Sequence, residues 1–188
     1  GVSYCFIISL YSSTCVGILP VLVKYIVNMD SQLECCDEES EAFVDTSGVT
    51  VARYNETVAY MYGDIKFLKD VGPDTMIEIT LRKEISGKYE LIFSHEICDL
   101  CAEVKKGPES DYYPYMKYFG IPDACPFEAG DYPVRDFIVD TDEFPVNSNT
   151  VGRYQAFSTL YKNPEKDCKI NKEFMCCTTL KLLIEMDE

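Results

Sequence analysis

Hydrophobic positions recur every second residue along most of the chain. In "YIVNMDSQLECC", Tyr25, Val27, Met29, Leu33 and Cys35 fall on one face and Asn28, Asp30, Gln32 and Glu34 on the other, the pattern of a half-buried strand. "TMIEITLRKEI" sets Ile77, Ile79, Leu81 and Ile85 opposite Glu78, Arg82 and Glu84, and "KYELIF" alternates Tyr89, Leu91 and Phe93. "EISGK" between these two segments supplies a hairpin turn. Ala59, Met61, Ile65 and Phe67 form a further stripe with Gly63 as a candidate bulge. "CCTTLKLLIEM" aligns Cys176, Leu180, Leu182, Ile184 and Met186. With "DYPVRDFIVD" and "RYQAFSTLY" these segments predict about seven to nine short antiparallel strands, and so an all-β sandwich or barrel.

The middle of the chain breaks the pattern. "CDLCAEVKK" from Cys98 predicts a short helix ended by Gly107 and Pro108. After it, Tyr112, Tyr113, Tyr115, Met116, Tyr118 and Phe119 crowd together in a segment interrupted by Pro114 and Pro122. Such an aromatic loop either packs on the sandwich edge or lies at the mouth of a binding site.

The first 23 residues carry no charged side chain, and Lys24 is the first. An apolar run followed by small residues around Cys15 and Gly17 reads as a secretion signal, cleaved after Gly17 or as late as residue 23, with residues 24–188 as a single domain. The competing reading is a retained anchor, which Ser9, Ser12, Ser13, Thr14 and Pro20 weaken. Of ten cysteines, removal of Cys5 and Cys15 leaves Cys35, Cys36, Cys98, Cys101, Cys125, Cys168, Cys176 and Cys177. An exported chain of this kind accommodates up to four disulfides, each worth about 2–4 kcal/mol, and eight cysteines allow on the order of a hundred connectivities. "NET" at Asn55 is a glycosylation sequon and points to an exposed lumenal or extracellular loop.

Formal net charge is -15 and the sequence pI is about 4.4, so nucleic acid is excluded as a main partner. Enzyme chemistry finds little purchase. His95 is the single histidine, with no second one to complete a metal site or an acid–base pair, and it reads as a surface or packing residue. "CDLC" has redox spacing without the βαβ context that motif needs, so structural disulfides are the better reading. No paired C-x-x-C motifs announce zinc, and "CDEESE" and "DTDEF" read as solvated acidic clusters rather than a catalytic pair. A non-enzymatic protein without cofactor or metal is expected.

"CPFEAGDY" at Cys125 to Tyr132, together with "LECCDEESEAF", the "CD" at Cys98, "EFP" ahead of "TVGRYQAF" and a cysteine-bearing last strand, resembles the ML lipid-recognition superfamily. Within it the chain looks most like the lysosomal ganglioside activator and its secreted insect relatives, over roughly residues 25–186. The resemblance implies an immunoglobulin-like β-sandwich opened into a cup that holds acyl chains, in a secreted or lysosomal carrier without catalytic activity. It implies a lipid ligand (glycolipid, phospholipid or fatty acid), transient contact with a membrane surface, and a lipid hydrolase or receptor as further partner. By position it implies a Cys98–Cys125 disulfide and one from Cys35 or Cys36 to Cys176 or Cys177, which leaves Cys101 with Cys168. The extra residues in "NPEKDCKINKEF" and the absence of further cysteines near Ala124 depart from the activator and leave the particular glycolipid open.

On a core opened in that way, the candidate lining is Ile77, Ile79, Leu81, Leu91, Phe93, Phe137, Val139, Phe157, Leu180 and Leu182, and the candidate lip is Tyr112, Tyr113, Tyr115, Met116 and Phe119. Ordinary core packing competes at each of these positions. The rival class is a secreted disulfide-bonded module with a closed core, such as a chemosensory or immune accessory protein that binds another protein.

Overall fold

The computed structural model describes residues 23–55, 58–120, 125–139 and 146–187. The expected secretion signal up to residue 22, Pro122, Ala124 and "EFP" lie outside the described residues. The chain folds as two antiparallel sheets with few and short helices. Its elements are β1 (Lys24–Met29), β2 (Glu34–Cys35), α1 (Glu38–Glu41), β3 (Val44–Asp45), β4 (Val49–Arg53), β5 (Ala59–Phe67), β6 (Thr75–Ile85), β7 (Lys88–Ile97), α2 (Leu100–Lys105), α3 (Tyr113–Met116), β8 (Gly130–Phe137), β9 (Gly152–Lys162) and β10 (Glu173–Asp187). The larger sheet runs β1-β10-β9-β6-β7, with β2 also on β10. In the smaller one, β3 and β4 line one edge of β5 and β8 pairs along the other.

Period-two stripes became strands where expected. The β6–β7 hairpin closes through Ser86 and Gly87, both at positive φ (52° and 78°), the two-residue geometry that matches strand twist. At Gly63 the ladder between β5 and β8 slips, and φ is 110°.

"YIVNMDSQLECC" is not one strand but two. The chain leaves β10 after Met29, where Lys181 N–H donates to Ser31 Oγ (2.9 Å), and rejoins it at Glu34. Asn28, expected on the polar face, is 1% exposed. Its Oδ1 accepts from Ala59 N–H (3.2 Å) and its Nδ2 donates to Glu185 (3.4 Å), so it joins the rim of one sheet to the start of the other.

Among the described residues three disulfides staple this frame, Cys36–Cys177, Cys98–Cys168 and Cys101–Cys125, while Cys35 and Cys176 are free thiols. The implied Cys98–Cys125 and Cys101–Cys168 pairings are therefore corrected to the reverse assignment, and the fourth bridge is not formed. The reason lies in α2. Asp99 caps it by accepting Ala102 N–H (3.0 Å), and the helix then carries Cys101 inward, buried, toward the corner. Cys98, ahead of the cap, meets the loop before β10. Lys166, two residues from Cys168, pairs with the capping Asp99 (2.9 Å) and holds that loop in place.

The corner itself packs as a unit. A cis peptide joins Cys125 to Pro126, and Phe127 exchanges backbone hydrogen bonds with Val71 in both directions (2.9 and 3.0 Å). Its ring is buried with Phe43, Val44, Val71, Val104, Leu160 and Cys176. Tyr132 closes the turn by donating its hydroxyl to Glu128 O (2.6 Å).

Candidate functional site

Register decides which side chains can share an interior. Across the large sheet the inward rows read Cys176, Leu160, Ile77 and Ile97; then Thr178, Ser158, Ile79 and His95; then Leu180, Ala156, Leu81 and Phe93. The candidate residues Ile77, Ile79, Leu81, Phe93, Leu180 and Leu182 thus lie on one face. Phe157 does not. It stands opposite Thr179 and Thr80 on the outer face, beneath the Arg82 guanidinium at 4.9 Å, because it has the parity opposite to the buried Tyr154 and Leu160. Leu91 is also corrected. The ladder slips between Leu81 and Arg82, so Leu91 comes opposite Arg82 instead of continuing the face of Phe93.

The inner face is unequally covered. Ile77 packs on the cluster around Phe127 and Val71, and Leu180, Leu182 and Phe137 pack with Met29, Val49, Ala59, Met61 and Val134. Leu81, Val139 and Leu182 pack on Val27, Tyr154 and Ile184. Toward β7 the smaller sheet no longer reaches. Phe93 is 51% exposed, its neighbours Ile92 and Leu91 49% and 59%, and among the described residues β7 has no strand on its far side.

The aromatic segment borders this uncovered strip. Read as an irregular loop, it contains a helical turn, α3, because Pro114 sits in the first turn, where its missing N–H costs nothing. Tyr112, ahead of that turn, hydrogen-bonds His95 Nε2 through its hydroxyl, and its ring tilts against the imidazole at 5.5 Å. Burial, followed by the nearby Glu103 and Asp111 carboxylates, raises the pKa of the Tyr112 phenol above its usual range. His95, set aside as a packing residue, therefore anchors the aromatic segment to β7 and lies on the inner face, stacked on Phe93 at 6.3 Å. Its position two residues along from Phe93 was the available signal.

Beyond α3 an open recess of about 310 Å³ is lined by Val104, Gly107, Tyr113, Met116, Lys117, Phe119, Gly120 and Arg135. Three of the five lip candidates, Tyr113, Met116 and Phe119, border it. Tyr112 turns to His95, and Tyr115 is 38% exposed. Phe119 meets Phe137 at 5.7 Å, and Gly120 N–H donates to Pro133 O (2.6 Å), which docks the segment on β8.

Other candidate chemistry resolves as structure. Cys98 and Cys101 of "CDLC" bond different partners rather than each other. Among the described residues no group of three or more His, Cys, Asp or Glu could hold a metal ion. Asn55 is exposed between β4 and β5, where its Oδ1 accepts Val58 N–H (2.8 Å). No helix among the described residues is long and apolar enough to cross a membrane.

The two free thiols are buried to different degrees. Cys176 sits in the Phe127 cluster, and burial, with Cys35 beside it, pushes its pKa up to about 12. Burial also raises Cys35, whose thiol donates to Val44 O (3.3 Å). Native protein treated with iodoacetamide at pH 8 is therefore expected to label Cys176 more slowly than an unhindered thiol by on the order of a thousandfold. Unfolding without reductant should expose both. Peptide mapping that finds neither alkylated after unfolding would mean that they are bonded.

No protein-family model matches the chain, and no curated protein matches it in sequence. The fold defines a sandwich-like, two-sheet antiparallel β protein stapled, among the described residues, by three disulfides, as fits an oxidising compartment.

Proposed function

We propose that the protein is a non-enzymatic lipid carrier of the ML kind, which holds acyl chains against the inner face of β6 and β7 and takes them from a membrane through the α3 segment. The observation that carries this reading is Phe93. A phenyl ring on the inward face, opposite Leu81 and half exposed, marks a place where the apolar interior is left open. Tyr112, hydrogen-bonded to His95 beside Phe93, leads into α3, whose Tyr113, Tyr115 and Met116 are the aromatic and thioether side chains that a lip requires. The reversed pairing of Cys98 and Cys101 removes one support from the family resemblance. The tie between corner and helix is kept, because Cys101 lies one turn from Cys98.

Energetics explain why a carrier needs an opening. Each acyl CH₂ exposed to water costs about 0.8 kcal/mol, so a long chain crossing free in solution faces a barrier of about 12 kcal/mol. A hydrocarbon-like cleft removes most of that barrier and leaves the end states nearly equal. On this reading the carrier works outside the cell or in the lysosomal lumen, is glycosylated at Asn55, touches membranes transiently, and hands its glycolipid, phospholipid or fatty acid to a hydrolase or receptor.

Protein purified without detergent is expected to carry lipid, seen as added mass in native mass spectrometry that organic extraction removes. The closed-core alternative has its own support, since Leu180, Leu182 and Phe137 are packed against buried side chains. It makes the strip at Phe93 a docking surface for another protein. Ligand-free protein that takes up no labelled lipid from liposomes would decide for that alternative.

A further inference from the structure

The recess beside α3 has a composition at odds with the rest of the molecule. In a chain of net charge -15, two of its eight lining residues are cations, Lys117 and Arg135, and none is an anion. Among the described residues neither makes an ion pair, whereas Lys106, Lys166 and Lys172 all do. Lys117 lies over the Tyr118 ring (5.0 Å), and the backbone N–H of Arg135 donates to Tyr118 O (2.7 Å), which fixes the Arg135 main chain beside it. Glu103, on the adjoining α2, is already engaged by Lys106 and Ser110 (both 2.6 Å) and does not neutralise them.

The other lining residues are Val104, Tyr113, Met116 and Phe119 with Gly107 and Gly120, and Met116 and Phe119 also pack on the core. Met116 packs on the Phe127 cluster, and Phe119 packs with Phe137 and Leu182. Leu182 in turn shares a cluster with Leu81, which faces Phe93. A charged group held at the recess therefore stands beside apolar side chains that belong to the packed core.

We infer that the recess binds the anionic headgroup of a lipid, a phosphate or carboxylate with Lys117 and Arg135 as its counter-ions, while the acyl chains lie against Tyr113, Met116 and Phe119 beside it. The inference rests on the carrier reading and adds a ligand class to it. The protein's overall negative charge does not forbid this, because at physiological salt charges beyond about 8 Å are largely screened and the two local cations dominate. Arginine supplies a fork of donors matched to phosphate or carboxylate oxygens, and lysine adds a point charge.

The test compares vesicles of phosphatidylglycerol and phosphatidylcholine with identical acyl chains, and reads half-saturating lipid for the mature glycoprotein. Wild type is expected to prefer phosphatidylglycerol on the order of tenfold, the size of two partly exposed ion pairs. Lys117→Gln with Arg135→Gln should bring the ratio close to one, with the melting temperature reporting that the variant is folded. Lys117→Arg with Arg135→Lys should keep the preference. Equal loading of the two lipids by wild type, or a preference that survives the glutamine variant, overturns the inference and leaves the carrier reading standing. Inorganic phosphate that binds the recess as tightly as the lipid does would make it a free-anion site and overturn the headgroup assignment. Failure to load either lipid overturns the carrier reading itself.

Discussion

Replacing Cys36 and Cys177 by alanine is expected to cost about 5 kcal/mol of stability, against about 3 kcal/mol for Cys101 and Cys125. The difference follows from chain entropy. The first bridge joins residues 141 apart and the second residues 24 apart, and the freedom it removes from the unfolded chain grows with the logarithm of that span. Native-state contacts act in the same direction. Cys177 N–H donates to Ser40 Oγ and Cys36 N–H to Cys177 O, so losing the bridge loosens α1 from β10 as well. Both variants should be made with Cys35 and Cys176 already changed to alanine, so that no thiol can bridge the same strands. Urea denaturation gives the comparison, and a larger loss from the shorter loop would refute the entropic account.

The second large effect belongs to Gly63. Its φ of 110° is one that side chains rarely adopt, and a Cβ there would stand 2.1 Å from Gly48 O. Gly48 cannot give way, because its own Cβ position lies 2.5 Å from Asp64 O, and Asp64 N–H donates to Gly48 O (3.1 Å). Gly63→Ala is expected to cost about 2–4 kcal/mol. Gly87→Ala is the control. It has positive φ with nothing within 4 Å and should cost only about 1–2 kcal/mol. Equal melting temperatures for the two variants would show that backbone conformation, not the close approach, sets the cost.

These cases mark what the sequence makes legible. Period-two stripes located the strands, the Ser86–Gly87 turn and the bulge at Gly63, because alternation and turn chemistry are local. Faces were harder. The slip in the β6–β7 ladder reverses Leu91 without any glycine or proline to announce it. In "RYQAFSTLY" both parities carry large apolar side chains, Tyr154 and Leu160 on one and Phe157 and Tyr161 on the other, so the bulk of Phe157 does not mark the buried face. Asn28 looked solvated because its partner, Ala59 N–H, is remote in sequence. Of the site, the aromatic segment was visible as composition. Lys117 and Arg135 were not, since only the fold brings β8 beside α3.

The two adjacent cysteine pairs have a consequence for how the chain reaches this state. Cys35 and Cys176 point inward and Cys36 and Cys177 outward, so four thiols on two neighbouring segments could oxidise in several ways. Joining Cys35 to Cys177 would require a thiol to change face, which a one-residue slip of β2 along β10 allows only by exposing what should be covered. Strand register thus favours the Cys36–Cys177 bridge over the alternatives. A mispaired molecule would advertise its error as unburied apolar surface.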